Sequence, residues 1–208
     1  MSNHPFYPRL LRRRAPADVG NGVFRLVEFN QTKPCGADGI HNNPGGEMRK
    51  IVAYELLSLD GVAERPDDFI TDFDDVMMEN LLRVIATQDA VLLGRRTYDE
   101  WAQYWQTRNT PFAGFINGTQ KFAVTSKPML HNWTNTTVIA GDLIKFVTEL
   151  KQKPGGDIGV HGSITLAQSL LEVGLVDELR LVIAPSIQMQ GRKLFEKGIT
   201  KRLSLSRT

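Results

Sequence analysis

The sequence predicts an α/β domain with a mostly parallel sheet and helices on both of its faces. From Met48 onward, short apolar runs alternate with segments in which apolar residues recur at helical spacing. Turn-forming residues, such as Pro154-Gly155-Gly156, separate these segments. Strands that alternate with helices favour parallel pairing, because each helix carries the chain back across a face of the sheet.

The predicted elements follow one another in a regular order. Apolar runs predict strands at 51–57, 89–93, 121–125, 137–140, 158–160 and 179–183. Helical spacing predicts helices at 73–85, 97–105, 143–150 and 163–173. Asp72 and Asp142 are the expected N-caps of two helices, and Thr97 with Glu100 fits a capping box. The 208 residues, 41% of them hydrophobic, have the size of one domain.

The first 47 residues differ in composition from the rest of the chain. They carry a basic cluster, Arg12 to Arg14, and close with the turn-forming run 42–46. Only 23–29 has strand-like character. An arginine-rich start is typical of a transit peptide or a nucleic-acid-binding arm. Because no amphipathic pattern accompanies the arginines, the simpler interpretation is a poorly ordered leader over 1–47, or translated sequence upstream of a natural start at Met48, before a domain over 48–208.

Charge and cysteine content narrow the class of protein. The formal net charge is only +2, which gives no general attraction to nucleic acid or membranes. The single cysteine, Cys35, cannot form an internal disulfide. No apolar stretch approaches the roughly 20 residues of a membrane-spanning helix. We therefore expect a cytoplasmic protein that acts on a small molecule and binds neither nucleic acid nor membrane.

The first of three predicted strand ends carries residues suited to an anionic ligand. In parallel sheets, ligands bind at the carboxyl ends of strands, where helix N-termini present free backbone N–H groups. Gly94 permits a tight turn, and Arg95 and Arg96 add positive charge beside the helix that Thr97 opens. An ordinary strand-turn-helix with two solvated arginines explains this segment equally well.

The second strand end combines Thr125, Ser126 and Lys127. Two hydroxyls and an ammonium suit a phosphate, such as the 2′-phosphate that distinguishes NADPH from NADH. A polar turn before Pro128 is the alternative interpretation, and for this segment alone it is the better one.

At the third strand end, Gly162 lets a ligand approach the backbone and Ser163 can cap the following helix. A short loop that needs glycine only for its geometry remains the alternative. His161 is more typical of a hydrogen-bonded scaffold residue than of an acid or a ligand. No second His or Cys lies at metal-ligand spacing, so no metal site is expected.

Three segments together resemble the dihydrofolate-reductase-like superfamily. They are Met48-Arg49-Lys50-Ile51, Ser58-Leu59-Asp60-Gly61 and Leu93-Gly94-Arg95-Arg96-Thr97-Tyr98. The stretch 156–195 is the most specific part. It resembles the C-terminal reductase domain of the bifunctional riboflavin-synthesis deaminase/reductase and its stand-alone bacterial relatives. The resemblance covers roughly residues 48 to 206.

This resemblance implies a mostly parallel twisted sheet, a homodimer and the cofactor NADPH. It further implies reduction of 5-amino-6-(5-phosphoribosylamino)uracil by hydride transfer. Leu56 and the turn at Asp60 would border the nicotinamide and the substrate. The other cofactor contacts that the motifs imply are Gly94, Arg95 and Thr97 for the phosphates, Thr125, Ser126 and Lys127 for the 2′-phosphate, and Gly162, Ser163 and Ile164 for the pyrophosphate and nicotinamide.

The group that protonates or polarises the substrate is less well defined, and Glu55 and Asp60 are weak candidates. An acid within an apolar strand, such as Glu55, must find a polar partner or shift its pKa. A solvent-facing position on an exposed strand is the open alternative. Asp60, followed by Gly61, is more typical of a residue that stabilises a turn. Asp75 and Glu79 on the first helix are further acids to consider.

The chain departs from the family pattern in three places. His161-Gly162 stands where relatives have a Gly-Gly pair, and the deaminase half is absent. The chain stops at Ser206-Arg207-Thr208, where relatives continue into one more strand. A sheet edge would then be unpaired unless a partner subunit or the leader covers it. These departures keep two alternatives open, a reductase of a pterin or dihydrofolate-like substrate and a non-catalytic nucleotide-binding protein.

Overall fold

The computed structural model describes residues 25–31, 48–70, 73–196 and 203–207. The basic cluster at Arg12 to Arg14, Cys35, the turn at 42–46 and the expected N-cap Asp72 lie outside these residues. Within them, no helix has the length and apolarity that crossing a membrane requires.

The described residues form eight strands and five helices. The strands are β1 (Arg25–Gln31), β2 (Ile51–Ser58), β3 (Gln88–Gly94), β4 (Gln120–Val124), β5 (Thr136–Ile139), β6 (Asp157–His161), β7 (Glu178–Ala184) and β8 (Leu203–Arg207). The helices are α1 (Asp75–Ile85), α2 (Arg95–Trp105), α3 (Pro111–Gly118), α4 (Leu143–Lys151) and α5 (Ile164–Glu172).

All eight strands belong to one sheet, in the order β5-β4-β3-β6-β2-β7-β1-β8. Neighbouring strands from β5 to β7 are parallel, and β1 is antiparallel to both β7 and β8. The predicted mostly parallel sheet is therefore confirmed. Since β3 and β6 are adjacent, the helices that follow them, α2 and α5, begin side by side.

The hydrophobic core lies on both faces of the sheet. Alternate residues of β2 belong to different layers, because successive side chains of a strand point to opposite faces. Val52, Tyr54 and Leu56 pack beneath α1, α2 and α3, whereas Ile51, Ala53 and Leu57 pack with α4 and α5. This arrangement confirms the prediction of helices on both faces.

Two predicted helix starts are wrong, and one helix is missing from the prediction. The N-cap of α1 is Asp74, whose Oδ1 accepts a hydrogen bond from the Met77 amide at 2.8 Å. Helix α2 begins at Arg95 after Gly94, and the Thr97 hydroxyl bonds another loop instead of forming the expected capping box. Thr110 caps the unpredicted α3, whose short Phe- and Gly-containing segment has little helical periodicity.

Strand β1 lies within the segment 1–47 that the sequence predicts as a leader. This strand pairs with β7 in the register Arg25↔Ile183 and with β8 in the register Phe29↔Leu205. Phe29 packs against the core cluster beneath α4 and α5. In β1, apolar and polar residues alternate from Val27 to Asn30, which suits a strand with one buried face. Strand β1 therefore lies next to β7 in the sheet.

Candidate functional site

The carboxyl ends of β3 and β6 are joined by two hydrogen bonds. The Gly94 amide donates to the Ser163 hydroxyl at 3.1 Å, and the Thr97 hydroxyl donates to the Gly162 carbonyl at 3.2 Å. Each bond connects the start of α2 to the loop before α5. The N-termini of these two helices, and their partial positive charges, therefore lie at one edge of the sheet.

A cleft with a volume of about 190 Å³ opens between the two helix N-termini. Six of the ten residues predicted to bind a cofactor line it: Gly94, Arg95, Thr97, Gly162, Ser163 and Ile164. Its volume is below the roughly 300–1,000 Å³ of pockets that enclose a whole ligand of drug size. The cleft is therefore suited to one part of a larger ligand, such as a phosphate group.

Gly162 adopts a left-handed backbone conformation with φ of +58°. A Cβ atom at this position would lie 3.4 Å from the Trp101 side chain, an ordinary van der Waals contact, so the loop needs glycine for its φ. One glycine of the expected Gly-Gly pair is thus present where the backbone turns. The other position is His161, which ends β6.

The turn after β4 lies beside the cleft but does not line it. Thr125 stabilises this turn, since its hydroxyl accepts from the Lys127 amide at 3.0 Å and donates to the Lys127 carbonyl at 2.8 Å. Ser126 and Lys127 are exposed. Arg95 connects the turn to the cleft, because its Nε donates to the Pro128 carbonyl at 3.4 Å. The three strand ends therefore follow one another along a continuous edge.

Leu56 lies beside a gap between two strands of the sheet. The pairing of β2 with β6 ends at Tyr54↔His161, whereas β2 remains paired with β7 as far as Ser58↔Ala184. Leu56 is buried on β2 just beyond the point where β2 and β6 separate. The end of this pairing places Leu56 next to the part of the sheet edge where β6 leads into the cleft.

Glu55 is almost fully buried, with 1% of its surface exposed. Its position between Ala53 and Leu57 places it on the face covered by α4 and α5. Its Oε1 has no hydrogen-bond partner among the described residues. Burial raises the pKa of this carboxyl to about 8. The alternative of a solvent-facing glutamate is therefore wrong, and Glu55 keeps its proton at neutral pH.

Asp60 stabilises the turn after β2. Its carboxylate accepts hydrogen bonds from the Ser58 hydroxyl at 2.7 Å and from the amides of Gln188 and Met189, each at 3.0 Å. The backbone donors, with the Gln188 amide foremost, lower its pKa to about 2. This side chain is ionised at neutral pH and has no proton to donate. Its contacts fit the interpretation of a turn residue.

His161 is a buried residue on the face covered by α1, α2 and α3. Its Nε2 lies 2.8 Å from the Gln88 Oε1. Burial lowers the pKa of the imidazole to about 4, so the ring is neutral at physiological pH. These contacts agree with the interpretation of a scaffold histidine.

The sequence interpretation missed four residues that line the cleft, Glu64, Thr165, Leu166 and Arg192. Glu64 and Arg192 come from loops beyond strand ends, and Arg96 pairs with Glu64 at 3.4 Å. It also missed Asn80 on α1, which is buried and whose two amide atoms lack a partner among the described residues. The available signal was weak. Arg192 follows a glycine within the family-like stretch 156–195, but no local pattern relates it to the strand ends.

An arginine-lined cleft at two helix N-termini is typical of α/β proteins that bind anionic ligands. Within that class, the model of the RibD C-terminal domain matches residues 49–208, so this chain belongs to that family of riboflavin-biosynthesis-type reductases. Its predicted dihydrofolate-reductase-like fold is likewise confirmed.

Individual relatives are similar to this chain over most of its length. The uncharacterized protein YyaP of Bacillus subtilis is 28% identical over 157 residues, which cover 72% of this chain and 81% of YyaP. A pyrimidine reductase-like protein of Corynebacterium diphtheriae has a similar structure, with a TM-score of 0.53 and 15% identity over 74% of this chain and 84% of that one.

A second similar structure is that of the diaminohydroxyphosphoribosylaminopyrimidine deaminase/5-amino-6-(5-phosphoribosylamino)uracil reductase of Thermotoga maritima. It has a TM-score of 0.53 and 14% identity, over 74% of this chain and 50% of that one. At these identities the two structures support the fold alone.

Proposed function

We propose that this protein is an NADPH-dependent reductase of 5-amino-6-(5-phosphoribosylamino)uracil or a closely related compound. The observation that carries the proposal is the meeting of the β3 and β6 ends at one arginine-lined cleft. Two backbone turns and two helix N-termini there face a single space, which suits the phosphates of one dinucleotide.

The residues of the cleft fit the diphosphate of NADPH. Arg95 supplies a guanidinium fork beside the first turn of α2, and Gly94 and Gly162 allow close approach of the backbone. Ser163 and Ile164 stand at the start of α5, where the helix dipole favours negative charge. When bound, NADPH would supply the hydride, and these residues would hold it in place.

The two ends of the cofactor then have natural positions along the sheet edge. Beyond Arg95, the exposed Lys127 ammonium and Ser126 hydroxyl suit a 2′-phosphate, and Thr125 holds their turn. In the other direction, the gap between β2 and β6 suits the nicotinamide ring beside Leu56. The surrounding apolar side chains would keep water away from the reacting carbon.

Two buried polar groups support a substrate site on the face covered by α1, α2 and α3. The Tyr54 hydroxyl and the Asn80 amide belong to that face and have no hydrogen-bond partner among the described residues. Buried polar atoms without partners cost about 1–3 kcal/mol each, so a ligand that pairs with them is favoured. A pyrimidine or pterin ring carries suitable donors and acceptors.

Neither weak candidate suits the proton source. Glu55 lies on the opposite face of the sheet from this substrate site, and Asp60 is ionised at neutral pH. We also propose that the protein is cytoplasmic and, from the family resemblance, that it is a homodimer. Light scattering on the purified protein would test the dimer by measuring its mass.

Titration with NADPH tests the cofactor assignment. Trp101 lies against Gly162, so binding should change tryptophan fluorescence. Arg95→Ala should raise the Kd by about tenfold to a hundredfold, the equivalent of one charge-assisted contact. Arg83→Ala, an exposed arginine on α1, is the matched control and should bind normally. If millimolar NADPH changes neither the tryptophan fluorescence nor the Tm, the proposal is rejected.

NADPH oxidation with candidate substrates tests the reaction. The aminouracil and dihydrofolate should be compared at equal concentrations. Activity with the aminouracil supports the proposed substrate, and activity with dihydrofolate alone would replace it by the pterin alternative. NADPH binding without turnover of either compound would favour the non-catalytic alternative.

A further inference from the structure

We propose that Arg192 is a further ligand of the cofactor's diphosphate, presented to the cleft by a loop that Glu64 holds in place. This inference rests on the proposed function. It adds a fourth segment, the loop after β7, to the three strand ends from which the site was predicted.

The backbone of Arg192 is fixed against the loop that follows β2. Its carbonyl accepts hydrogen bonds from the amides of Ala63 at 2.9 Å and Glu64 at 3.2 Å. Its own amide donates to the Glu64 Oε2 at 3.2 Å. Three bonds at one residue hold the start of its side chain in a defined position, which lowers the entropy lost on binding a ligand.

Gly191 allows these two loops to come so close together. Its φ is +108°, a conformation that side-chain-bearing residues rarely adopt. A Cβ atom there would lie only 2.8 Å from the Val62 Cγ1. Gly191 therefore permits the contact between the two loops, and Arg192, the next residue, carries a positive charge from this contact to the cleft.

The guanidinium of Arg192 reaches the first turn of α5. Its Nη2 donates to the Thr165 Oγ1 at 2.8 Å, and both residues line the cleft. Arg192 therefore lies at the N-terminus of α5, while Arg95 and Arg96 begin α2. A phosphate between the two helices would meet guanidinium groups from both sides.

The positive charge of Arg192 is also more available than that of the other two arginines. Arg95 pairs with Asp99 and Arg96 with Glu64, each at 3.4 Å. In the described part of the chain, no ion pair involves Arg192. The Thr165 hydroxyl is neutral and does not compensate the positive charge of Arg192, whereas a phosphate would.

The charge of the whole lining matches a diphosphate. Three arginines and one glutamate line the cleft, a net charge of two positive units. A dinucleotide diphosphate carries two negative charges at neutral pH. Loss of Arg192 would leave half of the compensating charge.

The test compares Arg192→Gln, Arg192→Lys and the control Arg83→Gln in the full chain. Two ligands are titrated: NADPH, and adenosine 2′-monophosphate, which lacks the diphosphate. For Arg192→Gln we expect an increase of about tenfold or more in the Kd for NADPH, with no change for adenosine 2′-monophosphate. Arg192→Lys should recover part of the loss, because lysine restores the charge without the planar fork.

Two results would overturn the inference alone. One is an unchanged Kd for NADPH in Arg192→Gln, and the other is an equal loss for both ligands, which would mean that the substitution disturbs the loop. Absence of NADPH binding by the unaltered chain would instead reject the proposed function, and this inference with it.

Discussion

The Gly94 amide and the Ser163 hydroxyl are 3.1 Å apart, and their hydrogen bond connects two loops 69 positions apart in the sequence. It holds the start of α2 against the start of α5. Because both helix N-termini border the cleft, this bond sets the distance between the two walls of the site.

Ser163→Ala should therefore weaken both the fold and cofactor binding. Loss of the bond should cost about 1 kcal/mol of unfolding free energy and raise the Kd for NADPH several-fold. Urea unfolding and fluorescence titration would measure the two effects. Ser169→Ala is the matched control, since its exposed hydroxyl bonds only the Thr165 carbonyl within α5. Equal behaviour of the two variants would contradict this prediction.

The buried carboxyl of Glu55 predicts a specific pH dependence of stability. Its folded-state pKa of about 8 lies above the usual glutamate value of 4.5, so folding favours the protonated form. Its contribution to stability is fully present below pH 4.5 and is lost as the pH rises through 8. Glu55→Gln should thus gain stability relative to the unaltered chain between pH 5 and 9.

Unfolding by urea at several pH values would measure this difference. Glu79→Gln, which removes an exposed carboxylate from α1, controls for the loss of one charge. A stability difference between Glu55→Gln and the unaltered chain that stays constant over the range would refute the prediction.

Gly159 makes room for the hydrogen bond between His161 and Gln88. A Cβ atom at this position would lie 2.2 Å from the Gln88 Oε1 and 2.7 Å from the His161 Nε2. Gly159→Ala should cost about 1–3 kcal/mol of stability, because the buried pair must separate or shift. Gly114→Ala, at an open position of α3, should instead gain about 0.5–1 kcal/mol. Thermal unfolding of both variants measures the two changes in stability. A Gly159→Ala protein as stable as the unaltered chain would contradict the prediction.

Strand β1 should be essential to the sheet. Deleting residues 1–31 removes the partner of both β7 and β8, so Tm should fall by on the order of 10 °C or more. Deleting residues 1–24 retains β1 and provides the control. If both truncated proteins melt at the same temperature, β1 does not stabilise the sheet.

The sequence predicts what local patterns encode. The apolar runs of β2 to β7 and the N-cap Asp142 are local signals, and the structure agrees with them. Gly94, Arg95 and Gly162 meet because parallel strands bring their ends to the same edge. The start of α2 was misplaced because the Thr97 hydroxyl bonds Gly162, a partner distant in sequence.

The remaining features depend on contacts between distant segments. Strand β1 joins the sheet by pairing with β7, for example Arg25 with Ile183. Arg192 reaches the cleft through its hydrogen bonds to Glu64 and Thr165. The sequence around β1 or around Arg192 does not show these distant partners. Asn80 likewise looks like an ordinary polar residue of an amphipathic helix, and only the packing of α1 shows that it is buried.

The position of β1 has a consequence for how the protein is made. It leaves the ribosome first among the described strands, yet its two neighbours, β7 and β8, are the last of the described strands to be synthesised. Until β7 has been synthesised, neither edge of β1 has its native partner, so the sheet cannot close before β7 and β8 emerge. Such non-local pairing slows folding and leaves strand edges open to association, which makes slow growth at low temperature the sensible condition for producing this protein.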